Sequence, residues 1–306
     1  MTSLLYDAPG PLARLRNVLY TVAFLALAAG VLWWVLAMMA DKGQLEADKW
    51  LPFVEDSRVW TTYFLPGLVN TLKAAALAMV IALPLGAVLG VARLSDHAWV
   101  RGVAGTVVEF FRAIPVLLLM FFANTGYAMW TDIDREVRPL YAVVTGLVLY
   151  NASVLAEVVR AGILSLPHGQ TDAAKAIGMR KSQVLAFVLL PQAVTAMLPA
   201  IVSQLVVIVK DTALGGVLLG FSELLRSAGL ISANYGNTIP AYLVCAVLFV
   251  ALNFLLTTVA NRLESRLRRG KRSGGAVVGT ERLEELDEAG PDRPVTKAGG
   301  GRVRGT

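Results

Sequence analysis

The chain has 306 residues, of which 56% are hydrophobic and 16% charged, with a formal net charge of +6. A soluble domain carries roughly 25% charged residues, and the mean hydropathy here is +0.61, so composition puts the chain in the membrane class. The positive charge is spread through connections and a tail, which gives no case for a nucleic-acid partner.

A helix needs about 20 apolar residues to cross a bilayer. Uncharged runs of suitable length lie at 18–40, 74–92, 113–130, 140–156, 183–209 and 227–261. Backbone polar groups cannot stay bare in lipid, and no ten-residue alternation of a barrel is present, so these runs predict an all-α membrane protein with six transmembrane helices. Residues 1–17 form a short tail with Arg14 and Arg16, followed by a first helix. That run is too long for the about 7–15 apolar residues of a cleaved signal, so the expectation is a retained helix. Residues 18–62 comprise it and an external loop rich in acid, "DKGQLEADKWLPFVEDSR".

The second run contains Pro84, with Gly86 and Gly90 four apart. Small residues at that spacing allow close helix packing, and proline with glycine also marks hinges. Glu109 and Arg112 read as an interfacial turn at the start of the third run. Glu157 and Arg160 end the fourth, one turn apart, as an ion pair or as polar lining. Lys210 and Asp211 end the fifth, with the same two readings. Asn151 and Gln204 are weaker polar candidates inside runs. Thr212 to Ser222 is too short to cross and reads as a re-entrant or interfacial piece. Cys245, the only cysteine, reads as a buried residue, and His97 and His168 lie too far apart to suggest a metal set.

Between the fourth and fifth runs lies "TDAAKAIGMRKSQVLAFVLLP". Pro167 should end the preceding helix. A new helix starts near Gln170 and Thr171, with Thr171 as N-cap and Asp172 in the first turn. Ala173, Ala174 and Ile177 are expected on one small-residue face, and Gly178 as the left-handed residue after the helix. A second helix from Lys181 to Leu190 is interrupted at Pro191. A helix of about eight residues is marginal in water and must dock on something. Physics leaves two docks open, the protein's own spans or a separate subunit.

Lys and Arg number nine in the segments 1–17, 93–112 and 160–182, against seven in 41–62, 131–139 and 210–226. The first set is therefore assigned to the cytoplasm. Residues 265–306 form a polar tail with basic, acidic and Gly-rich blocks, a composition expected to be disordered, whose basic start can touch anionic lipid.

The stretch 157–193 resembles the signature cytoplasmic loop of ATP-binding-cassette importer permeases, whose pattern is Glu-Ala-Ala, Gly, then Ile-x-Leu-Pro. Here it reads Asp172-Ala173-Ala174, Gly178, and Val188-Leu189-Leu190-Pro191, with Asp for Glu and Val for Ile. "FRAIPVLLLMFF", "GLVNTLKAAALAMVIALPLGAVLGVAR" and "VKDTALGGVL" resemble the polar amino-acid branch of that family. The resemblance covers about 67–261 and implies a five-helix permease core, 63–264, plus one N-terminal helix. It implies a coupling loop, 160–191, that seats Asp172, Ala173, Ala174, Ile177, Gly178, Leu190 and Pro191 on an ATPase dimer. It further implies a second permease subunit, identical or homologous, an extracytoplasmic substrate-binding protein, and a prokaryotic cytoplasmic membrane with both termini inside. No G-x-x-x-x-G-K-[ST] loop occurs, so ATP and magnesium are expected in the partner ATPase and no cofactor on this chain. The implied substrate is a polar amino acid, glutamate favoured; the candidate path residues are the polar groups in or at the ends of the runs, Asn151, Glu157, Gln204, Lys210 and Asp211. A channel or ion-coupled carrier without ATP is the alternative.

Overall fold

The computed structural model describes residues 10–272. In chain order it contains α1 (Pro11–Asp41), α2 (Ala47–Trp50), α3 (Pro52–Glu55), a π-helical turn (Val59–Phe64), α4 (Leu65–Ala92), α5 (Ala98–Ala113), α6 (Val116–Trp130), α7 (Arg138–Leu164), α8 (His168–Ala176), α9 (Lys181–Gln183), a second π-helical turn (Val184–Leu189), α10 (Leu190–Leu219), α11 (Leu224–Tyr235) and α12 (Thr238–Arg272). Among the described residues five helices are long and apolar enough to cross a membrane, and the pair α5 and α6, bent by 97°, adds a sixth when counted as one span. Residues 265–272, expected as the start of a disordered tail, are instead the last turns of α12; the rest of that tail, 273–306, lies outside the described residues, as do residues 1–9.

α7 is the central column. α4, α6 and α10 pack around it, and α12 closes the bundle against α10 and α11. Glycine makes this approach possible. A Cβ on Gly86 would stand 2.7 Å from Leu155 Cβ and 2.8 Å from the Ala152 carbonyl oxygen, and one on Gly90 would stand 2.6 Å from the Ala156 carbonyl oxygen. The α4 helix runs unbroken through Pro84. Of the two readings of that segment, close packing is the one the structure takes. α1 contributes no buried residue, as expected of a helix added outside the core.

Several predicted boundaries are corrected. The second span begins at Val59, because Lys73 sits within a continuous helix and does not end it. The third run is split at Ile114 and Pro115: Glu109 and Arg112 belong to α5, and α6 alone has 15 residues. Proline forces its predecessor out of the helical region, and Ile114 is extended, with ψ 129°. α7 continues past Glu157 and Arg160 to Leu164, and α10 continues past Lys210 and Asp211 to Leu219. These charged residues stand inside helices, not at their ends. Thr212 to Leu219 is part of α10, so no separate re-entrant piece forms there. The sixth run is divided by Gly236, whose φ is 59°, into α11 and α12. Pro191 does not interrupt a helix. The Leu190 N–H reaches back five residues to the Leu185 carbonyl, and this wide turn relieves the clash of a proline ring with the carbonyl four residues earlier.

The charged levels give the slab. About 29 Å of helix separates Arg138 from Glu157 on α7, and about 30 Å separates Lys73 from Arg93 on α4, at 1.5 Å per residue. Both equal one hydrocarbon thickness. Residues 42–58, expected as a plain loop, form a folded cap at the Arg138 end. Phe53 joins Leu224, Ile231 and Ala241 in one buried cluster. Asn237 donates to the Lys49 carbonyl at 3.1 Å, and the Tyr235 hydroxyl donates to Asp56 at 2.5 Å. That hydroxyl, followed by the Arg58 N–H, holds the Asp56 carboxyl below the usual carboxylate range.

Candidate functional site

At the Glu157 end of the bundle, α7 stops at Leu164 and α8 starts at His168, with Pro167 as its N-cap. The fixed φ of proline, −57° here, suits a helix entry. α8 therefore begins earlier than the sequence suggested. Thr171 lies inside it and is not the N-cap, and Asp172 falls beyond the first turn. The other end matches expectation. Gly178 has φ +83°, its N–H donates to the Lys175 carbonyl at 2.9 Å, and the Met179 N–H donates to the Ala174 carbonyl at 3.2 Å. This paired closure satisfies two carbonyls at the helix end and needs a residue that tolerates positive φ.

The expected common face of Ala173, Ala174 and Ile177 is divided. Ala174 is buried toward the protein, where α8 packs on the Val184–Leu189 turn. Asp172, Ala173 and Gly178 are exposed, and Ile177 is 79% exposed. Consecutive residues on a helix diverge by about 100°, so Ala173 and Ala174 cannot both point inward, whereas Ala173 and Ile177 share a face. Both docks left open above are thus in play. Ala174 uses the protein's own surface, and the Ala173 and Ile177 face stays outward. Leu190 packs with the buried Val159, Ile163, Ala193 and Met197, and Pro191 is exposed.

Above α8 lies a charged lattice. Arg93 donates to Glu157 at 2.7 Å and to Glu109 at 3.1 Å, and Arg160 donates to Glu157 at 2.6 Å and 3.0 Å. The intrahelical pair expected between Glu157 and Arg160 exists, and Arg93 extends it across α4, α5 and α7. The Arg93 contact was missed because nothing local marks a partner 64 positions away. Lys181 pairs with Asp96 in the α4–α5 connection and holds its carboxyl below the usual range.

Inside the slab, Gln204 of α10 donates to Asn151 of α7, and Asn151 donates to the Leu147 carbonyl at 2.7 Å. Asn151 is fully buried and Gln204 half-buried. Lys210 is exposed and Asp211 half-buried on α10, about 26 Å along the helix from Ala193 and so near the Arg138 end. The structure joins Asn151 to Gln204 but leaves both apart from the Glu157 lattice.

Glu223 was not singled out from sequence. It is fully buried, caps α11, and accepts the N–H groups of Leu225 and Arg226 at 2.7 Å each. Burial pushes its carboxyl up to about 7, with those two N–H groups pulling the other way. A Cβ on Gly216 would stand 1.9 Å from its Oε1. The available signal was an acid just before an apolar helix, with glycines on the preceding one.

A family model described as binding-protein-dependent transport system inner membrane component matches residues 82–269. The glutamate transport system permease protein GluD of Corynebacterium glutamicum is 46% identical over 242 residues, 79% of this chain and 88% of that protein. The glutamate/aspartate import permease protein GltK of Escherichia coli O6:H1 is 34% identical, over 68% of this chain and 92% of its own length. A crystal structure of an amino acid ABC transporter with histidines superposes with a TM-score of 0.63 at 26% identity, covering 71% of this chain and 97% of that one.

Proposed function

The chain belongs to the family of binding-protein-dependent transport system inner membrane components and is a permease subunit of an ATP-binding-cassette amino-acid importer, and from that premise we propose that it carries glutamate and takes its drive through α8. It is a multi-pass inner-membrane transport subunit, not an enzyme, and membership does not favour an ATP-independent channel or carrier.

The observation that carries the coupling reading is the outward face of α8. Ile177 is 79% exposed on a helix whose other side is already seated on the protein. A short helix fixed at its base and bare at its crest suits a groove in a separate ATPase dimer, which would hold ATP and magnesium. Asp172, Ala173, Ile177 and Gly178 form the crest. Ala174 and Leu190 form the base, with Pro191 at the start of α10. The α8 end is then cytoplasmic and the capped end external, facing a substrate-binding protein. This agrees with the charge bias of the connections, and both termini are then cytoplasmic.

The path is assigned to Gln204, Lys210 and Asp211, which are accessible from outside the single chain, with Asn151 and Glu157 holding the helices that present them. Charged side chains in or near a span prefer an aqueous cavity. A second permease subunit, identical or homologous, would complete that cavity. Lys210 and Asp211, about 100° apart around α10, supply the ammonium and the carboxylate that complement the two ends of a zwitterion. Glutamate as substrate is supported by the relatives carrying that name.

The test is reconstitution with the ATPase and the binding protein, with uptake and ATP hydrolysis measured across glutamate, aspartate, glutamine, asparagine and arginine. Glutamate should give the largest stimulation. A larger response to a neutral or basic amino acid would overturn the substrate, and uptake without ATP would overturn the coupling.

A further inference from the structure

Behind α8 lies a cavity of about 220 Å³. Its walls are Leu94, Ile163 and Leu164 from the span ends, and Val184, Leu185 and Leu189 from the second π-helical turn. Thr171, Lys175 and Lys181 stand at its polar edge. Lys181 is paired with Asp96, and Lys175 is exposed on α8. An apolar hollow with cationic residues at its edge fits a short apolar segment flanked by carboxylates.

The chain itself contains such a segment. Residues 281–288 read "ERLEELDE", five acids and one arginine around Leu283 and Leu286. α12 delivers it to the correct end. Ala241 and Cys245 pack beside Leu224, and Leu252 packs in the layer of Ile208 and Val209, so the remaining turns to Arg272 run toward the α8 end. From there, eleven residues reach Leu283 and can span up to about 36 Å when extended. The segment lies beyond residue 269, where the family match stops. It is therefore a feature of this chain outside the shared permease core.

We propose that residues 281–288 dock into the cavity behind α8, with Leu283 and Leu286 against its apolar walls and their acids toward Lys175, beside the Lys181–Asp96 pair. A seated segment braces α8 against α7 and the π-helical turn, and so restrains movement of the helix. The docking stands on cavity, charge and reach. Only its regulatory consequence rests on the reading of α8 as the coupling helix.

The experiment uses the full chain in its assembled transporter, with Cys245→Ala removing the only cysteine. Leu164→Cys is combined with Leu283→Cys or Leu286→Cys, or with Val295→Cys as a control outside the acidic block. Docking gives a bismaleimide cross-link to 283 and 286 at least fivefold above that to 295, and Glu284→Lys with Glu285→Lys removes it. Equal cross-linking at all three positions, or none, overturns the proposal. Truncation after Arg272 should raise maleimide labelling of Leu164→Cys at least fivefold. If the truncated chain stays protected by phosphatidylglycerol bilayers or by the ATPase, another occupant fills the cavity and the proposal falls. ATP hydrolysis by the truncated complex should rise at least twofold. Unchanged hydrolysis, with docking intact, overturns the restraint.

Discussion

Arg93 and Glu157 lie 64 positions apart in the chain and 2.7 Å apart in space, which joins the end of α4 to the last third of α7. Their side chains are 16% and 26% exposed. This is neither a free surface pair, worth about 0–1 kcal/mol, nor a fully buried one, whose breaking costs about 3–5 kcal/mol. Arg93→Ala should destabilise the protein by about 1–2 kcal/mol, since it strips Glu157 and Glu109 of one partner each. Glu157→Gln should cost a similar amount. The double change should cost less than the sum, because the Arg93–Glu157 contact is lost once and not twice. Thermal unfolding of the four proteins in one detergent checks this, and strict additivity would show that the two do not interact.

The glycines of α4 make a steric prediction. Gly86→Ala places a methyl against backbone as well as side chain of α7, and the Ala152 carbonyl cannot rotate away. Overpacking of this kind costs about 1–3 kcal/mol. Gly102→Ala on α5, where nothing lies within 4 Å, should be neutral or slightly stabilising. Melting temperatures of the two variants should therefore move apart, and a common shift would refute the packing account.

Legibility in the sequence follows the range of the interaction. The spans were readable because apolar length is a local property. The closure at Gly178 was readable because positive φ selects glycine. The faces of α8 were not, since one residue of register decides whether Ala173 or Ala174 points inward, and Pro167 moved the start of the helix. The ends of α7 and α10 were misjudged because charge was taken as a boundary. Arg93 allows Glu157 to sit within a helix, and a helix longer than the slab leaves room for Lys210 and Asp211. The cap over α11 was invisible because its anchors, Asn237 and Tyr235, lie almost two hundred positions downstream of the residues they hold.

The crest of α8 separates backbone from surface effects. Gly178 has φ +83° and nothing within 4 Å of an added Cβ. Gly178→Ala is strained only through its backbone, by about 1 kcal/mol, and Gly178→Asn should be milder. Ala173→Glu leaves the backbone intact and adds bulk and charge to the outward face. Both Gly178→Ala and Ala173→Glu should lower the amino acid moved per ATP hydrolysed, the second by at least tenfold. Only Gly178→Ala should also loosen the end of α8 in hydrogen exchange. Normal coupling in both variants would remove α8 from the drive.

Glu223 makes the prediction with a definite sign in pH. Its carboxyl titrates at about 7 in the folded protein, against 4.5 for an unburied glutamate, because burial disfavours the ionised form. Between those values the folded chain holds more protons than the unfolded one. Stability should therefore fall as pH rises from about 4.5 to about 7, and the contribution should level off above that. At 1.36 kcal/mol per unit the loss is about 3 kcal/mol. Glu223→Gln cannot ionise and should flatten this part of the profile, while leaving one N–H of α11 less well accepted. Gly216→Ala acts on the same contact from the other side. Its methyl would overlap the carboxylate and drive it from the cap, which should lower stability at pH 5 and pH 8 alike. Denaturation in detergent from pH 5 to 8 distinguishes the three proteins. A wild-type profile as flat as that of Glu223→Gln would mean that the carboxyl is already ionised at pH 5, and that the N–H groups of Leu225 and Arg226 outweigh its burial.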